Sequence, residues 1–436
     1  MDAENKKGAV AFHSVGCRTN QEEVASLQNV FTSAGYSVVS QIETADLIIV
    51  NTCSVTSCTE SKTKRFLRSI PRSAPRAQIL VTGCLAQQLK DELTDYENVK
   101  WVVGNVEKGS ILPIIENGRV GLHCKNIYAS DTIFLSTVVL PPEHSKRTRF
   151  SLKIQEGCNF CCSYCIVPAL RGPSRSSDLN NLVAVLKKAV RYGYKEIVLT
   201  GTHIGQYRDP ATGTSLSGLI EEISEVDGDY RIRLSSLDPR DLTDELLETV
   251  AKEGKICDHI HVSVQSFSKD VLLGMGRPFE GVNDLKIKIK RLREKRPDIS
   301  LGGDFIVGFP GETDHMFMET VNGIRELEFS YGHVFRYSPR PGTKAQKFDN
   351  QVTEKLKSQR GELLREELNH SRLNFLSKQK ERHHRILVES KGPVRGVTSN
   401  YIRVELPGKS AEHNSWIEVK LTELCCKGRC LAEPVK

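Results

Sequence analysis

The segment Gly157-Cys158-Asn159-Phe160-Cys161-Cys162-Ser163-Tyr164-Cys165 decides how the rest of the chain reads. Spaced as C-x-x-x-C-x-x-C, it offers Cys158, Cys162 and Cys165 as three thiolates in one short loop. Three close thiolates suit an iron–sulfur cluster with four corners, because one iron is left without a protein ligand. An open metal site is a place for chemistry, whereas a closed one is usually structural. A zinc loop is the competing reading. Zinc wants four ligands, often as two C-x-x-C pairs. Cys161 supplies a fourth only if two adjacent cysteines both turn toward one metal.

An apolar strand, Phe150-Ser151-Leu152-Lys153-Ile154, precedes this loop. After it, further strands are expected at 196–200, 231–235, 259–264, 304–307 and 333–337, with amphipathic helical stretches between them. That makes six βα units, too few for a closed eight-unit barrel. A partial barrel is predicted, with its chemistry at the carboxyl ends of the strands. Those ends carry Gly201, Thr202, Ser235, Ser236, Gln265 and Gly308. Glycine lets a backbone approach a ligand closely, and hydroxyl and amide groups bind polar ligand atoms. Arg171 and Arg175 are candidates to pair with an anionic group. Cys257, just before a strand, reads as core.

The first third of the chain follows another α/β rhythm. Apolar strands at 9–15, 45–50 and 77–81 alternate with helices, and Pro71 is expected to end the second helix. Such alternation implies a parallel sheet covered on both faces. Cys17, Cys53 and Cys84 each fall one to three residues past a strand's carboxyl end, the edge where open α/β sheets bind ligands. A second set of three thiolates, and a second cluster with an open iron, is expected there. Cys58 and Cys124 stand outside this pattern and read as a helix residue and a packing residue.

The chain has 436 residues, thirteen cysteines and a net charge of +7. Its length allows two to four domains. It shows neither an apolar run of membrane-helix length nor a secretory signal at its start. Reduced thiols or metal ligands are therefore expected rather than disulfides, in a cytoplasmic protein. From Lys378 to Lys436 there are 12 Lys/Arg and 7 Asp/Glu. Short alternating strands there, separated by Gly and Pro, predict a small basic β-barrel of a kind suited to nucleic acid. The expected organisation is α/β. An open parallel sheet spans 1–140, a partial (βα)6 barrel spans 145–376, and an antiparallel β-barrel spans 378–436.

The Cys158 loop behind its strand resembles the radical S-adenosylmethionine (SAM) enzymes. The resemblance implies that the open iron holds the methionine part of SAM, which an electron from the cluster cleaves to a deoxyadenosyl radical. The six strand-end residues are then SAM contacts. Ser14-Val15-Gly16-Cys17-Arg18-Thr19-Asn20, Asn51-Thr52-Cys53-Ser54-Val55-Thr56 and Thr82-Gly83-Cys84-Leu85-Ala86-Gln87 resemble the three cysteine signatures of the methylthiotransferases. Gly308-Phe309-Pro310-Gly311-Glu312-Thr313 matches the same family, and the tail is similar to its TRAM domain. Phe267 departs from the family, where a small residue is expected after Gln265-Ser266.

The resemblance implies two 4Fe-4S clusters, SAM as cosubstrate, and an external electron donor and sulfur source. It also implies a tRNA anticodon stem-loop as partner. Gly16-Cys17-Arg18-Thr19-Asn20 and Arg336-Tyr337-Ser338-Pro339-Arg340-Pro341-Gly342-Thr343 look most like the threonylcarbamoyl-adenosine branch. The implied reaction places a methylthio group on C-2 of N6-threonylcarbamoyladenosine at position 37 of tRNA. The alternatives are N6-isopentenyladenosine, a ribosomal-protein aspartate, or a non-catalytic iron–sulfur sensor that binds RNA.

Overall fold

The computed structural model describes residues 7–16, 18–54, 56–124, 148–425 and 429–435. Cys17, the linker residues 141–147 and Cys426 lie outside the described residues. The chain divides into two compact units. The first comprises Met1–Leu140, Lys153–Ser177 and Ser338–Gln346; the second comprises Pro141–Leu152, Asp178–Tyr337 and Lys347–Lys436. Packing thus cuts across the boundaries drawn from sequence, because the Cys158 loop belongs to the first unit.

In the first unit, six parallel strands lie in the order β2-β1-β3-β4-β5-β6. They are β1 (Lys7–Ser14), β2 (Tyr36–Val39), β3 (Leu47–Thr52), β4 (Gln78–Gly83), β5 (Val99–Val103) and β6 (Gly121–His123). Ile48, Val50, Ile79 and Val81 pack with Leu67 and Ile70 of the helix Ser57–Ser73. Leu47, Ile49 and Leu80 pack with Leu27 and Phe31 of the helix Arg18–Ser33. The central strands β3 and β4 are buried on both faces, so their sequences carry continuous apolar runs.

One helix boundary differs from expectation. The second helix continues through Pro71 to Ser73. A proline gives up its own N–H bond and crowds the carbonyl four residues back, and Pro71 sits two residues from the helix end, where little helix remains to be disturbed. The Ala74 N–H still closes onto the Ile70 carbonyl at 2.7 Å.

Strand β7 (Arg149–Glu156) leads into the Cys158 loop, and β8 (Arg175–Ser176) pairs antiparallel with its end. In the second unit, β9 (Glu196–Gly201) and β10 (Arg231–Leu234) run parallel. So do β11 (His259–Gln265), β12 (Ser300–Val307) and β13 (Tyr331–Arg336). Parallel bridges Ile232↔Ile256 and Leu237↔Val262 join the two groups. The expected partial barrel is therefore present.

The long helix Glu354–Gln379 lies against it, with Leu368 over Gly332. The tail closes into a five-stranded barrel, β14-β15-β16-β18-β17. Its strands are β14 (His383–Lys391), β15 (Val394–Thr398), β16 (Arg403–Leu406), β17 (Trp416–Cys425) and β18 (Arg429–Pro434). Cys430 is buried in its apolar core beside Val404 and Leu421. No helix among the described residues is long and apolar enough to cross a membrane.

The tail barrel docks through charge. Glu196, fully buried at the start of β9, pairs with Arg231, Arg233 and Arg149. Arg231 donates on to the Val397 carbonyl at 2.8 Å, and Arg233 to Ser399 O at 3.0 Å. Trp416 and Tyr401 lie over the Arg231 and Arg233 guanidiniums at 5.0 Å each. Ser399 also bonds Asp258, and Asn400 bonds Asp298. Asp258 precedes β11 and Asp298 precedes β12, so the tail barrel sits at the amino-terminal edge of the strands.

Candidate metal centres and ligand edge

Adjacent strand ends place Cys53 and Cys84 of the first cysteine set on one sheet edge. Ser14 of β1 pairs with Asn51 of β3, and Thr52 of β3 with Gly83 of β4. Cys53 follows β3, and Cys84 opens the short helix Cys84–Gln88 after β4; both are buried. Gly16 has φ +104°, and a Cβ on it would lie 2.2 Å from the Cys53 Cβ. Only a residue without a side chain permits that approach. Gly83, at φ +96°, is likewise pressed against Thr52, with a Cβ site 2.4 Å from its carbonyl oxygen. Asn20 ties these turns together, its amide donating to Val15 O at 3.0 Å and Thr52 O at 2.8 Å.

The second set lies in a turn-rich loop. The Phe160 N–H donates to the Cys158 Sγ at 3.4 Å. Cys165 N–H bonds Cys162 O at 3.1 Å. Gly157 has φ +78° and a Cβ site only 1.9 Å from the Pro173 carbonyl oxygen. Cys158, Cys162 and Cys165 are half-buried, while Cys161 is exposed. Among the described residues no three His, Cys, Asp or Glu side chains form a group able to ligate one ion. A cluster takes one thiolate per iron, so its donors need not meet at a point. The donor type and the tight glycine turns fit such a cluster in both places.

Both sets share the first unit. Cys84 packs with Ile166 and Leu170, the first of which directly follows Cys165. The Asn105 amide donates to Leu170 O at 2.9 Å and lies 3.9 Å from the Cys84 Sγ.

Beneath them runs a buried ion network that the sequence reading missed. Glu23 receives Lys108 at 2.5 Å, Arg171 at 2.9 Å and Lys153 at 3.1 Å. Glu156 receives Arg171 at 2.8 Å and Lys153 at 3.0 Å. Burial alone would raise the Glu23 carboxyl, but Arg171, Lys108 and Lys153 outweigh it and hold it well below the usual range. Burial pulls Arg171 down, yet Glu23, Cys84 and Glu156 hold it well above its ordinary value. Arg171 is thus committed inside the protein and does not face a ligand, which corrects the sequence expectation. Its partners are far apart in sequence, so no local pattern reveals them.

The other candidates gather in the second unit. Gly201 ends β9, Ser235 and Ser236 follow β10, Gln265 ends β11 and Gly308 follows β12. All lie on the carboxyl-terminal edge. Thr202 carries a buried hydroxyl oxygen that has no hydrogen-bond partner among the described residues. A ligand hydroxyl or carboxylate would satisfy it. Gln265 adopts φ +69°, a left-handed conformation uncommon for a side-chain-bearing residue. Gly308 donates its N–H to Glu312 at 2.7 Å, and its Cα face meets the Lys357 stem, so packing already uses much of it.

Phe267 stands where a small residue is expected after Gln265-Ser266. It is buried against Phe305 and Phe329, and Gly323 offers it space where a Cβ would come within 2.3 Å. Cys257 is core, Cys58 is exposed on its helix, and burial pushes the half-buried Cys124 thiol up to about 12.

Comparisons with known proteins agree with this architecture. The Radical SAM superfamily profile matches residues 152–324, and that of the uncharacterized protein family UPF0004 matches residues 9–104. A threonylcarbamoyladenosine tRNA methylthiotransferase of Bacillus subtilis is 37% identical, over 80% of this chain and 78% of its own. That of Thermotoga maritima is 34% identical over 94% of both chains. A tRNA-2-methylthio-N(6)-dimethylallyladenosine synthase of Fusobacterium nucleatum is 34% identical, over 97% of this chain and 98% of its own. In fold, the chain is similar to the radical SAM methyltransferase TsrM of Kitasatospora setae. The TM-score is 0.55 at 16% identity, over 76% of this chain and 73% of that one.

Proposed function

This chain belongs to the radical SAM tRNA methylthiotransferases, and we propose that it places a methylthio group on C-2 of N6-threonylcarbamoyladenosine beside the tRNA anticodon. Cys158, Cys162 and Cys165 would hold one 4Fe-4S cluster, and Cys17, Cys53 and Cys84 a second. Bound there, the clusters and SAM supply radical chemistry at an unactivated carbon and the sulfur to be transferred. One observation carries the two-cluster reading: Cys84 packs on Ile166 and Leu170, immediately behind Cys165.

The chain's own residues bind and orient. Thr202 would give its unpartnered hydroxyl to SAM, with Gly201 allowing close approach and Ser235, Ser236 and Gln265 completing the polar edge. The tail barrel lies at the other end of the strands, which are six residues long at β9, roughly 20 Å. A ligand engaging both edges must span that length, which a tRNA stem-loop does and a small molecule does not. An external electron donor and sulfur source would complete the cycle.

The Fusobacterium relative keeps the isopentenyl base as a second reading. Mass spectrometry of tRNA nucleosides from cells with and without this protein separates the two. Loss of methylthio-threonylcarbamoyladenosine is expected. Loss of the methylthio-isopentenyl nucleoside instead transfers the assignment, and no change in either overturns it.

A further inference from the structure

We propose that the cavity between β13, the long helix Glu354–Gln379 and the β15–β16 turn binds one nucleotide of the substrate RNA, its phosphate held by Arg372 and Arg403 and its base stacked against the surrounding rings. The inference rests on the RNA-substrate reading above.

The cavity has a volume of about 300 Å³ and lies wholly within the second unit. Tyr331, His333, Arg372, Phe375, Tyr401 and Arg403 line it. Its rings are held in place by the protein itself. The Tyr331 hydroxyl lies 2.7 Å from His259 Nε2 and 2.9 Å from His261 Nδ1. Tyr401 lies over the Arg233 guanidinium at 5.0 Å and tilts against Tyr331 at 5.3 Å. Phe375 packs on the core of the tail barrel. Such preorganisation lowers the cost of ordering a bound ligand.

The charge at the cavity points to an anion. Arg403 is exposed and makes no ion pair with any described residue. Glu405, two residues further along β16, is taken by Arg395 at 3.0 Å and Arg429 at 3.5 Å. Burial pulls the Arg372 guanidinium below its ordinary value; Cys430 opposes this, and the like charge of Arg403 adds to it. Two guanidiniums at one cavity repel until an anion sits between them. Arginine forks match phosphate oxygens, and unstacked bases lie on aromatic and guanidinium planes. A small carboxylate would use the cations alone, and an apolar ligand the rings alone. A nucleotide uses both.

The position selects RNA as the source. Tyr331 opens β13, so the cavity lies at the amino-terminal edge of the strands. The base to be modified reaches the carboxyl-terminal edge, roughly 20 Å away along a six-residue strand. The nucleotide in the cavity is therefore a different one from the nucleotide modified, and a single polymer delivers both.

Binding of a dye-labelled tRNA anticodon stem-loop to the full-length protein, followed by anisotropy across a range of salt, tests this. Arg403→Ala should weaken binding and reduce the log–log salt slope by about 0.7–0.9. Arg403→Lys keeps the charge and should keep the slope. Lys409→Ala removes an exposed lysine beyond the other end of β16 and should leave affinity and slope near native. Phe375→Leu keeps apolar packing on the tail barrel but removes the ring, and affinity should fall several-fold at unchanged slope. A slope that falls no more for Arg403→Ala than for Lys409→Ala overturns the proposal. Native affinity in Phe375→Leu overturns the assignment of a base. Native protein that does not bind the stem-loop overturns the RNA-substrate reading itself.

Discussion

Gly16 lies so close to Cys53 that a Cβ on it would stand 2.7 Å from the cysteine's Sγ. The contact joins the turn after β1 to the end of β3, at the edge where the second cluster is proposed. Gly16→Ala would push Cys53 aside and strain a backbone at φ +104°. The iron content of rebuilt protein should fall from about eight to about four per chain. Retention of the full complement would show that this approach does not shape the site.

Thr202 is the sharpest ligand candidate on the strand edge, because its buried hydroxyl oxygen lacks a partner. Thr202→Val should weaken SAM binding by about 1–2 kcal/mol, roughly 5- to 30-fold. Stability should hold or rise, since an unsatisfied group is removed. Calorimetric titration of SAM alongside a urea melt reads both. Unchanged affinity would remove Thr202 from the SAM site.

The Glu196 hub ties acid stability to the docking of the tail barrel. Burial raises this carboxyl, but Arg233, Arg231 and Arg149 overcome it and hold it well below the usual range. A depressed carboxyl contributes stability above its unfolded value of about 4.3, and loses it as pH falls through the folded value. Glu196→Gln takes the carboxylate from the buried Arg231 and Arg233 and should cost about 3–5 kcal/mol at neutral pH. That deficit should shrink in acid, because below about 4.3 the unfolded carboxyl takes up a proton that the native one resists. Denaturant melts at pH 7 and pH 3 check it, and a constant deficit would contradict the linkage.

Phe267 and Gly323 form a complementary pair. Phe267→Ala should cost about 3–5 kcal/mol through the cavity it leaves. Gly323→Ala should also destabilise, because its Cβ would meet the ring at 2.3 Å. Together the two changes should cost less than their sum, since each relieves the other. Strict additivity in a double-mutant cycle would rule out the pairing.

Much of the architecture was readable from sequence for physical reasons. Strands buried on two faces, such as Leu47–Thr52, leave continuous apolar runs. The Cys158 loop is local, so its spacing is its geometry. What escaped was short or non-local. β15 and β18 closed the tail barrel unannounced, since Val394–Thr398 carries Arg and Gly in a run of five. Nothing in the sequence marked Arg231 and Arg233, because Glu196 and the tail carbonyls that hold them lie far along the chain.

Sequence alone determined the chemical class: two trios of cysteines, one within eight residues and one after three strands, and a basic tail. Tertiary structure alone decided that the Cys158 loop packs with the first unit, and that Arg171 answers to Glu23 and Glu156 rather than to a ligand. The reason is that thiolate spacing is written along the backbone. The partner of a buried charge is chosen only when distant segments are desolvated together.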